Sequence, residues 1–391
     1  HYDAIHQKSG VPHKAQQPTV AILTPYLPWP LSHGGAVRIH ALLQQAAPYF
    51  NLKLFAFTED ESPPDLGPLT ELCELITCVR KPDYRYPRWS SLRPPEVREY
   101  DTPAMHRALK KASYDFLQVE YTQLAPYGKD ILVEHDVTYD LALQVHQSQP
   151  NPVTWWNYQR WRSFERRALR RYTRVIVMSG KDHQYLALPN TIVLPNGVDL
   201  SRFQPTPKPA STSNLPNLLF IGSFRHFPNV QAYNFLIQQF WPKFHASHPQ
   251  ATLNVVAGPN PRLYQREIFI PGGVHFQEFV SDVKPLYENC DLVLVPTPVS
   301  AGTNIKVLEA MAMQRAVIST TSGAAGLRLV HKESVWIADS ASEFLEAAHH
   351  LLFHPAQRQQ IARKARTIAE DHFDWHAIGH QQTQLWMELL K

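Results

Sequence analysis

Residues 300–320, SAGTNIKVLEAMAMQRAVIST, set Lys306 and Glu309 three positions apart in an alanine-rich helical run. At that spacing the two side chains lie about one turn apart on nearly the same helix face. Gly302 stands just after an apolar run at 292–295, where the lack of a Cβ lets backbone approach a ligand closely. The helix is expected to begin near Thr303 or Asn304, with its unbonded N–H groups and dipole favouring an anion. An ammonium near that end suits a phosphate. A carboxylate a turn deeper suits two vicinal hydroxyls, such as those of a ribose, and a ribose joined to a diphosphate would satisfy both. The plainer reading of the same pair is a surface Lys–Glu contact, common on any helix.

Such groups need a rigid frame, and the apolar runs describe one. Segments 20–23, 52–57, 116–119, 131–133 and 175–177 read as strands, with helical spacing at 36–47. After residue 217 the alternation restarts: 218–221, a helical stretch from about 230 to 245, then 252–257, 274–276, 292–295, 316–319 and 335–337. Near-continuous apolar strands between helices imply parallel sheets covered on both faces. The segment QPTPKPASTSN, 204–214, has the composition of a linker. A chain of 391 residues is too long for one ordinary core. Two doubly wound domains, 1–205 and 206–373, are therefore expected, with ligand bound at the carboxyl ends of their strands. Residues 81–100, rich in Pro, Arg and aromatics, read as a long loop. WWNYQRWRSFERRALRRY, 155–172, reads as a basic, aromatic helix. It is either solvated, with its aromatics packed inward, or a surface that docks on a membrane or an acidic acceptor.

Composition narrows the class. Hydrophobic content of 44% and charged content of 18% describe a folded globular protein. A net charge of +4 fits a mildly basic site for an anionic ligand and is too small to argue for nucleic acid. Cys73, Cys78 and Cys290 form neither a disulfide framework nor a structural zinc pattern. A reducing compartment, the cytoplasm, follows, with association at the inner membrane face if 155–172 docks. There is no run of roughly 18 apolar residues to span a bilayer. The start, HYDAIHQKSG, lacks an initiating Met and a signal-like apolar core, and reads as processed or truncated. No Asp-x-Asp pair is present to hold Mg or Mn on a diphosphate, so no metal is expected.

The order of motifs resembles the retaining glycosyltransferases of family 4 (group 1), which have the GT-B fold and use nucleotide-sugar donors. The resemblance covers nearly the whole chain from about residue 19. VLEAMAMQRAVISTTSGAAGL looks like that family's donor signature, whose helix glutamate binds the donor ribose; here that is Glu309. HGGAVRIH, 33–40, resembles the Gly-rich loop after the first strand, with Gly34 and Gly35. EHD, 134–136, resembles the segment carrying an active-site histidine, here His135. VIVMS at 175–179 and LPNGVDLSRFQP at 194–205 resemble the exit from the N-terminal domain. LLFIGSFRHFPN, 218–229, looks like the first strand and phosphate loop of the second domain. The resemblance implies two Rossmann-like α/β domains facing across a cleft, the last helix, about 374–391, crossing back onto the first. It also implies backbone recognition of the base near Phe279 and Val280, and Gly323 closing the sugar end of the pocket.

The departures carry information too. The family's usual motif has two glutamates eight positions apart, and the first falls on Ala301. The family often has an arginine after the phosphate-loop glycine; this chain has Ser223 after Gly222, with Arg225 and His226 nearby. Lys306 and Arg225 are then expected to meet the leaving diphosphate together with the helix start at Gly302, Thr303 and Asn304, while His135 touches the reacting sugar. One well-placed donor of this kind is often worth about 3 to 4 kcal/mol. No side chain is an evident covalent nucleophile, in keeping with retention by same-face attack; a double displacement stays open. The expected partners are a nucleotide-sugar donor and a glycan, lipid-linked or other hydroxyl acceptor, without a cofactor and without nucleic acid. Two alternatives remain: a catalytically silent nucleotide-binding protein of the same fold, motivated by Ala301 and Ser223, and a sugar-nucleotide epimerase.

Overall fold

A computed structural model describes residues 5–59, 62–83, 91–207, 215–298 and 303–391. Two compact units emerge. The first comprises 1–30, 35–195 and 379–391; the second comprises 31–34 and 196–378.

Among the described residues the sheet of the first unit has eight strands: β1 (Ile5–Ser9), β2 (Thr19–Thr24), β3 (Asn51–Thr58), β4 (Leu75–Arg80), β5 (Phe116–Glu120), β6 (Ile131–Glu134), β7 (Arg174–Val177) and β8 (Thr191–Val193). Their order is β1-β4-β3-β2-β5-β6-β7-β8, parallel throughout except β1, which pairs antiparallel with β4. Strands such as β2 and β5 are buried at every position because helices cover both faces, which is why they read as unbroken apolar runs. The core joins Leu23, Phe57, Val119, Leu132 and Val177 to helical residues such as Met105, Trp161 and Leu169. The C-terminal helix, Trp375–Leu389, supplies Trp386, which packs edge-on against Phe50 and Phe116.

The described residues of the second unit hold six parallel strands: β9 (Asn217–Ile221), β10 (Thr252–Val256), β11 (Val274–Gln277), β12 (Leu292–Val295), β13 (Ala316–Ser319) and β14 (Trp336–Ile337). Their order, β11-β10-β9-β12-β13-β14, is that of a doubly wound dinucleotide-type sheet. In both units the chain winds outward from two adjacent central strands, β2 and β5 or β9 and β12. That arrangement opens a crevice at the carboxyl ends of each pair.

Several expectations need correction. The units divide at Pro195 and Ile378 rather than at 205 and 373. The reason is local: Val198 N–H donates to Phe373 O, Trp375 N–H donates to Val198 O, and a Cβ on Gly197 would lie 2.8 Å from both Ile378 and Trp375. Both crossings of the chain are thus stitched to one another inside the second unit. The expected loop 81–100 contains a helix, Pro95–Tyr100, started by a proline whose fixed φ suits the first helical turn; 84–90 lies outside the described residues, as does 208–214 of the expected linker. The helix expected over 230–245 runs as Phe227–Phe235, a wider π turn Leu236–Phe240, and Trp241–Ser247. Pro242, with no N–H to give, sits where the ladder widens and Trp241 N–H bonds back to Leu236 O. Strands β1, β4 and β8 come in addition to those the apolar runs imply.

Candidate functional site

In the second unit Gly222 and Ser223 follow β9, and Gly323 lies beside Val295 at the end of β12. Gly222 follows β9 directly, and its N–H donates to Val256 O at 2.9 Å. A Cβ there would come within 2.8 Å of the Asn229 side chain, so glycine lets the helix Phe227–Phe235 press against the strand end. Asn229 bridges two elements. Its Nδ2 donates to Ser223 O at 2.9 Å, and its Oδ1 accepts from Lys306 Nζ at 2.7 Å. Lys306 is partly buried, 5.6 Å above the Phe220 ring, and burial pushes its ammonium down to about 8. Of the three N–H bonds of that ammonium, one goes to Asn229 among the described residues. Arg225 lies exposed on the turn between Gly222 and the helix.

Glu309 belongs to the same helix as Lys306, Ile305–Ala312, yet the two side chains part company. Its Oε2 accepts from Tyr287 Oη at 2.9 Å, and that hydroxyl also lies 3.1 Å from Lys306 O. Burial raises the Glu309 carboxyl to about 7; Tyr287 and Arg202 pull it down, and Asp282 pushes it up. Arg202 and Asp282 are themselves joined, exposed, at 2.8 Å. A solvated Lys–Glu pair is therefore not what this helix carries. Instead it aims an ammonium and a carboxyl group into two separately supported positions.

The start of that helix is held without using up its N–H groups on a side-chain cap. Asn304 is the N-cap residue, but its Nδ2 donates to Gly323 O at 2.7 Å and its side chain takes no cap bond. The first-turn donors therefore stay oriented as any helix start leaves them. Thr303 is buried and locked by Asn196, whose N–H reaches Thr303 Oγ1 at 3.2 Å and whose Nδ2 reaches Thr303 O at 2.8 Å. Gly323 N donates to Thr320 Oγ1 at 2.9 Å, and a Cβ there would sit 2.5 Å from Ser319 Oγ and 3.0 Å from Val295 O. A larger residue would have to displace the Ser319 hydroxyl and crowd the end of β12. Phe279 and Val280 follow β11, Phe279 being 42% exposed. Gly302, and Ala301 beside it, lie outside the described residues.

The first unit contributes a different constellation at the ends of β2, β5 and β6. Gly34 and Gly35 are the first two residues of the helix Gly34–Ala46; the division of units falls between them. His135, just past β6, is buried and its Nε2 lies 2.7 Å from Glu120 Oε2. A carboxylate only accepts, so Nε2 carries the proton and Nδ1 keeps its lone pair. The imidazole stacks flat on Tyr121, centroids 3.8 Å apart and 3° between planes, and Tyr121 Oη bonds Tyr26 Oη at 2.6 Å. Tyr121 reaches that position through a left-handed backbone, φ 74°. Glu120 Oε1 in turn accepts from Gln118 Nε2, and Gln118 Oε1 accepts from Trp386 Nε1 at 2.9 Å. Burial holds the His135 pKa below its ordinary value; Glu120 opposes that shift and the buried Arg38 reinforces it. The histidine is thus neutral and fixed in one tautomer.

Beneath it sits a second acidic group. Thr122 Oγ1 donates to Glu134, and Glu165 accepts from the N–H groups of Thr138 and Tyr139 at 2.9 and 2.6 Å. Burial raises both carboxyls; the Glu165 charge adds to the rise of Glu134, while the N–H groups of Thr138 and Tyr139 oppose that of Glu165, so Glu134 is the protonated partner. Asp136, adjacent to His135, is raised to about 7 by burial, Asp182 and Glu165. Among the described residues no group of three or more His, Cys, Asp or Glu is arranged to hold a metal ion.

The sequence carries no visible sign of Tyr287, Glu120 or Tyr121, because each meets its partner only through the fold. Asn229 lies within the phosphate-loop motif but has no distinguishing type or spacing.

Residues 215–354 match the family model described as Glycosyl transferases group 1. No curated protein matches the chain in sequence. Solved structures with the same fold include sucrose-phosphate synthase from Thermosynechococcus elongatus, at 18% identity over 96% of this chain and 99% of that one, TM-score 0.74. WaaG, a glycosyltransferase involved in lipopolysaccharide biosynthesis, matches at 17% identity over 94% and 99%, TM-score 0.69. Anabaena Alr3699/HepE in complex with UDP-glucose matches at 15% identity over 94% and 99%, TM-score 0.67. The chain therefore has the α/β GT-B fold, residues 215–354 are a group 1 glycosyltransferase domain, and the protein is an enzyme of the glycosyl-transferring class.

Proposed function

We propose that the protein is a retaining, family 4 glycosyltransferase that moves a sugar from a nucleoside-diphosphate sugar to a hydroxyl acceptor, glycan or lipid-linked. The observation that carries this reading is the pair of supported groups on the helix Ile305–Ala312: Lys306 held by Asn229, and Glu309 held by Tyr287. Glu309 accepts from the ribose hydroxyls. Lys306, Arg225 and the helix start receive the diphosphate, the first-turn N–H groups at Thr303 and Asn304 included. Gly34, Gly35, Gly222 and Ser223 keep backbone close to the same phosphates, Phe279 and Val280 border the base, and Gly323 bounds the sugar. His135, neutral and oriented by Glu120, touches the reacting sugar.

In the transfer, the bond from the anomeric carbon to the diphosphate oxygen breaks, and the acceptor oxygen bonds the same carbon on the same face. The acceptor proton passes to the departing diphosphate. Positive charge aimed at that leaving group lowers the barrier because it meets charge that develops only as the bond breaks. No resident cofactor is part of this reading. Charge on the diphosphate is assigned to side chains rather than to a metal, and the site of action is assigned to the cytoplasm. The HepE complex with UDP-glucose makes a uridine nucleotide the first donor to try.

The test is thermal unfolding with UDP, GDP, ADP, CDP and TDP, for wild type and Glu309→Ala. A ligand at 100 times its dissociation constant adds about 2.7 kcal/mol to the state that binds it. A shift with one nucleotide, lost in the variant, is the expected result; a shift the variant keeps would remove Glu309 from the site. Once a donor is known, NMR of the product reads the anomeric configuration, and inversion would overturn the retaining assignment.

A further inference from the structure

The helix Pro152–Arg171 has a solvent face unlike that of an ordinary surface helix. Its buried face is conventional: Trp161, Ala168 and Leu169 pack into the core, and Glu165 points inward to the start of the helix Thr138–Ser148. The aromatics do not all follow. Trp155 is 49% exposed and Trp156 39%, beside Val153 at 76%. Along the remaining turns the exposed side chains include Arg162, Arg166, Arg167, Arg170 and Arg171. The only acidic residue in the helix is the buried Glu165, so its exposed face carries no negative charge at all.

Spacing places these groups together. Residues 155, 162 and 166 are separated by seven and four positions, and 156, 163, 167 and 170 follow alongside, all on one side of a helix about 30 Å long. Arg160 Nη1 donates to Ser91 O at 3.3 Å, which ties the turn bearing Leu92, 79% exposed, to the first half of the helix. Indoles and aliphatic side chains lie at one end and guanidinium groups at the other, in a single exposed strip.

We propose that this face docks the enzyme on a bilayer rich in anionic phospholipid. The arginines meet headgroup phosphates, and Trp155, Trp156 and Val153 enter the interfacial layer, where amphipathic rings favour the boundary between water and hydrocarbon. Charge complementarity selects an anionic surface. The aliphatic pair Val153 and Leu92 selects lipid over nucleic acid, since a base stacks on aromatic rings but gains little from an exposed isopropyl or isobutyl group. No helix among the described residues is long and apolar enough to cross a membrane, so attachment through this face is peripheral. The proposal goes beyond the donor site and does not depend on it.

The experiment is co-sedimentation of the full chain with vesicles of phosphatidylcholine alone or mixed with phosphatidylglycerol. Wild type is expected to pellet with the mixed vesicles, less so as salt rises, and to remain in solution with the neutral ones. Arg166→Gln with Arg170→Gln is expected to lose about fivefold in vesicle affinity per arginine, while the Arg→Lys pair at the same positions retains binding. Trp155→Ser with Trp156→Ser weakens binding and removes quenching of tryptophan emission by lipids brominated along their acyl chains. Wild-type quenching needs no variant and stands as a separate readout. Failure to pellet with phosphatidylglycerol vesicles overturns the proposal, as does pelleting that neither pair of substitutions changes. Retention on heparin without vesicle binding overturns it in favour of a soluble polyanion. Nucleotide-dependent thermal shifts in the same variants report the donor site separately, so failure here leaves that reading intact.

Discussion

Burial shifts Lys306 and Glu309 in opposite directions, the ammonium down to about 8 and the carboxyl up to about 7. The forms that bind a nucleoside diphosphate are the charged ones, so the working window lies between those values. As pH falls through about 7, Glu309 takes a proton and loses its capacity to accept from both ribose hydroxyls. As pH rises through about 8, Lys306 loses the proton that meets the phosphate. Calorimetric affinity for the bound nucleotide should therefore peak between the two, Glu309→Gln removing the acid limb and Lys306→Met the alkaline one. A flat profile across both values would show that neither group titrates in contact with ligand. Tyr287→Phe tests the support directly. The lost hydrogen bond stabilised the Glu309 carboxylate, so the acid limb should move to higher pH, and affinity should fall by about 1 kcal/mol, roughly fivefold. Unchanged affinity and an unmoved limb would mean that Glu309 needs no such support. The types and spacing of Lys306 and Glu309 were legible in the chain; Tyr287 and Asn229 were not, since they stand 22 and 77 positions from the groups they hold.

Elements explain why some of the frame was legible and some was not. Parallel strands covered on both faces leave apolar runs such as 292–295, and all four residues there are indeed buried. β1 is almost wholly exposed and mostly polar, so nothing in IHQKS marks it as a strand; its partner β4 gives it one. Tertiary support of this kind also decides how helices begin. The helix Thr138–Ser148 has no side-chain cap of its own, and Glu165, from the helix Pro152–Arg171, accepts from its first N–H groups instead. That role needs Glu165 ionised and its buried neighbour Glu134 protonated. Glu134→Gln should then be nearly neutral in urea unfolding at neutral pH, because an amide replaces a group already uncharged. Glu165→Gln leaves one of the two N–H groups, of which that of Tyr139 is buried, without an acceptor and should cost about 1 to 3 kcal/mol. Equal costs for the two substitutions would mean that the proton is not localised as described. The loop from Glu134 to Val137, which carries His135, lies between these two anchors, so the Glu165 variant should also lower transfer activity.

At the scale of the molecule, the division into two units gives the C-terminal residues a stability role that can be measured apart from the donor site. Residues 379–391 cluster with the first unit although the chain reaches them from the second. There Trp386, 1% exposed, packs against Phe50 and Phe116, and its Nε1 holds Gln118, which holds Glu120, which holds His135. Gln382 adds a bond to Leu42 O at 3.3 Å. Trp386→Ala removes a large buried ring and leaves the Gln118 carbonyl without its donor, a loss of about 3 to 5 kcal/mol in the first unit. The second unit has its own cores, around Phe240 and Met311. Calorimetry should then show the unfolding of the first unit moving to lower temperature, while the nucleotide-dependent stabilisation of the second persists. Trp386→Phe separates packing from hydrogen bonding. It keeps most of the ring volume but drops Nε1, so stability should largely recover while the pH dependence of transfer, which follows the orientation of His135 by Glu120, stays displaced. If instead Trp386→Ala lowered nucleotide binding as strongly as it lowered the first transition, the two units would unfold as one, and the chain of bonds from Trp386 to His135 would have no separate consequence.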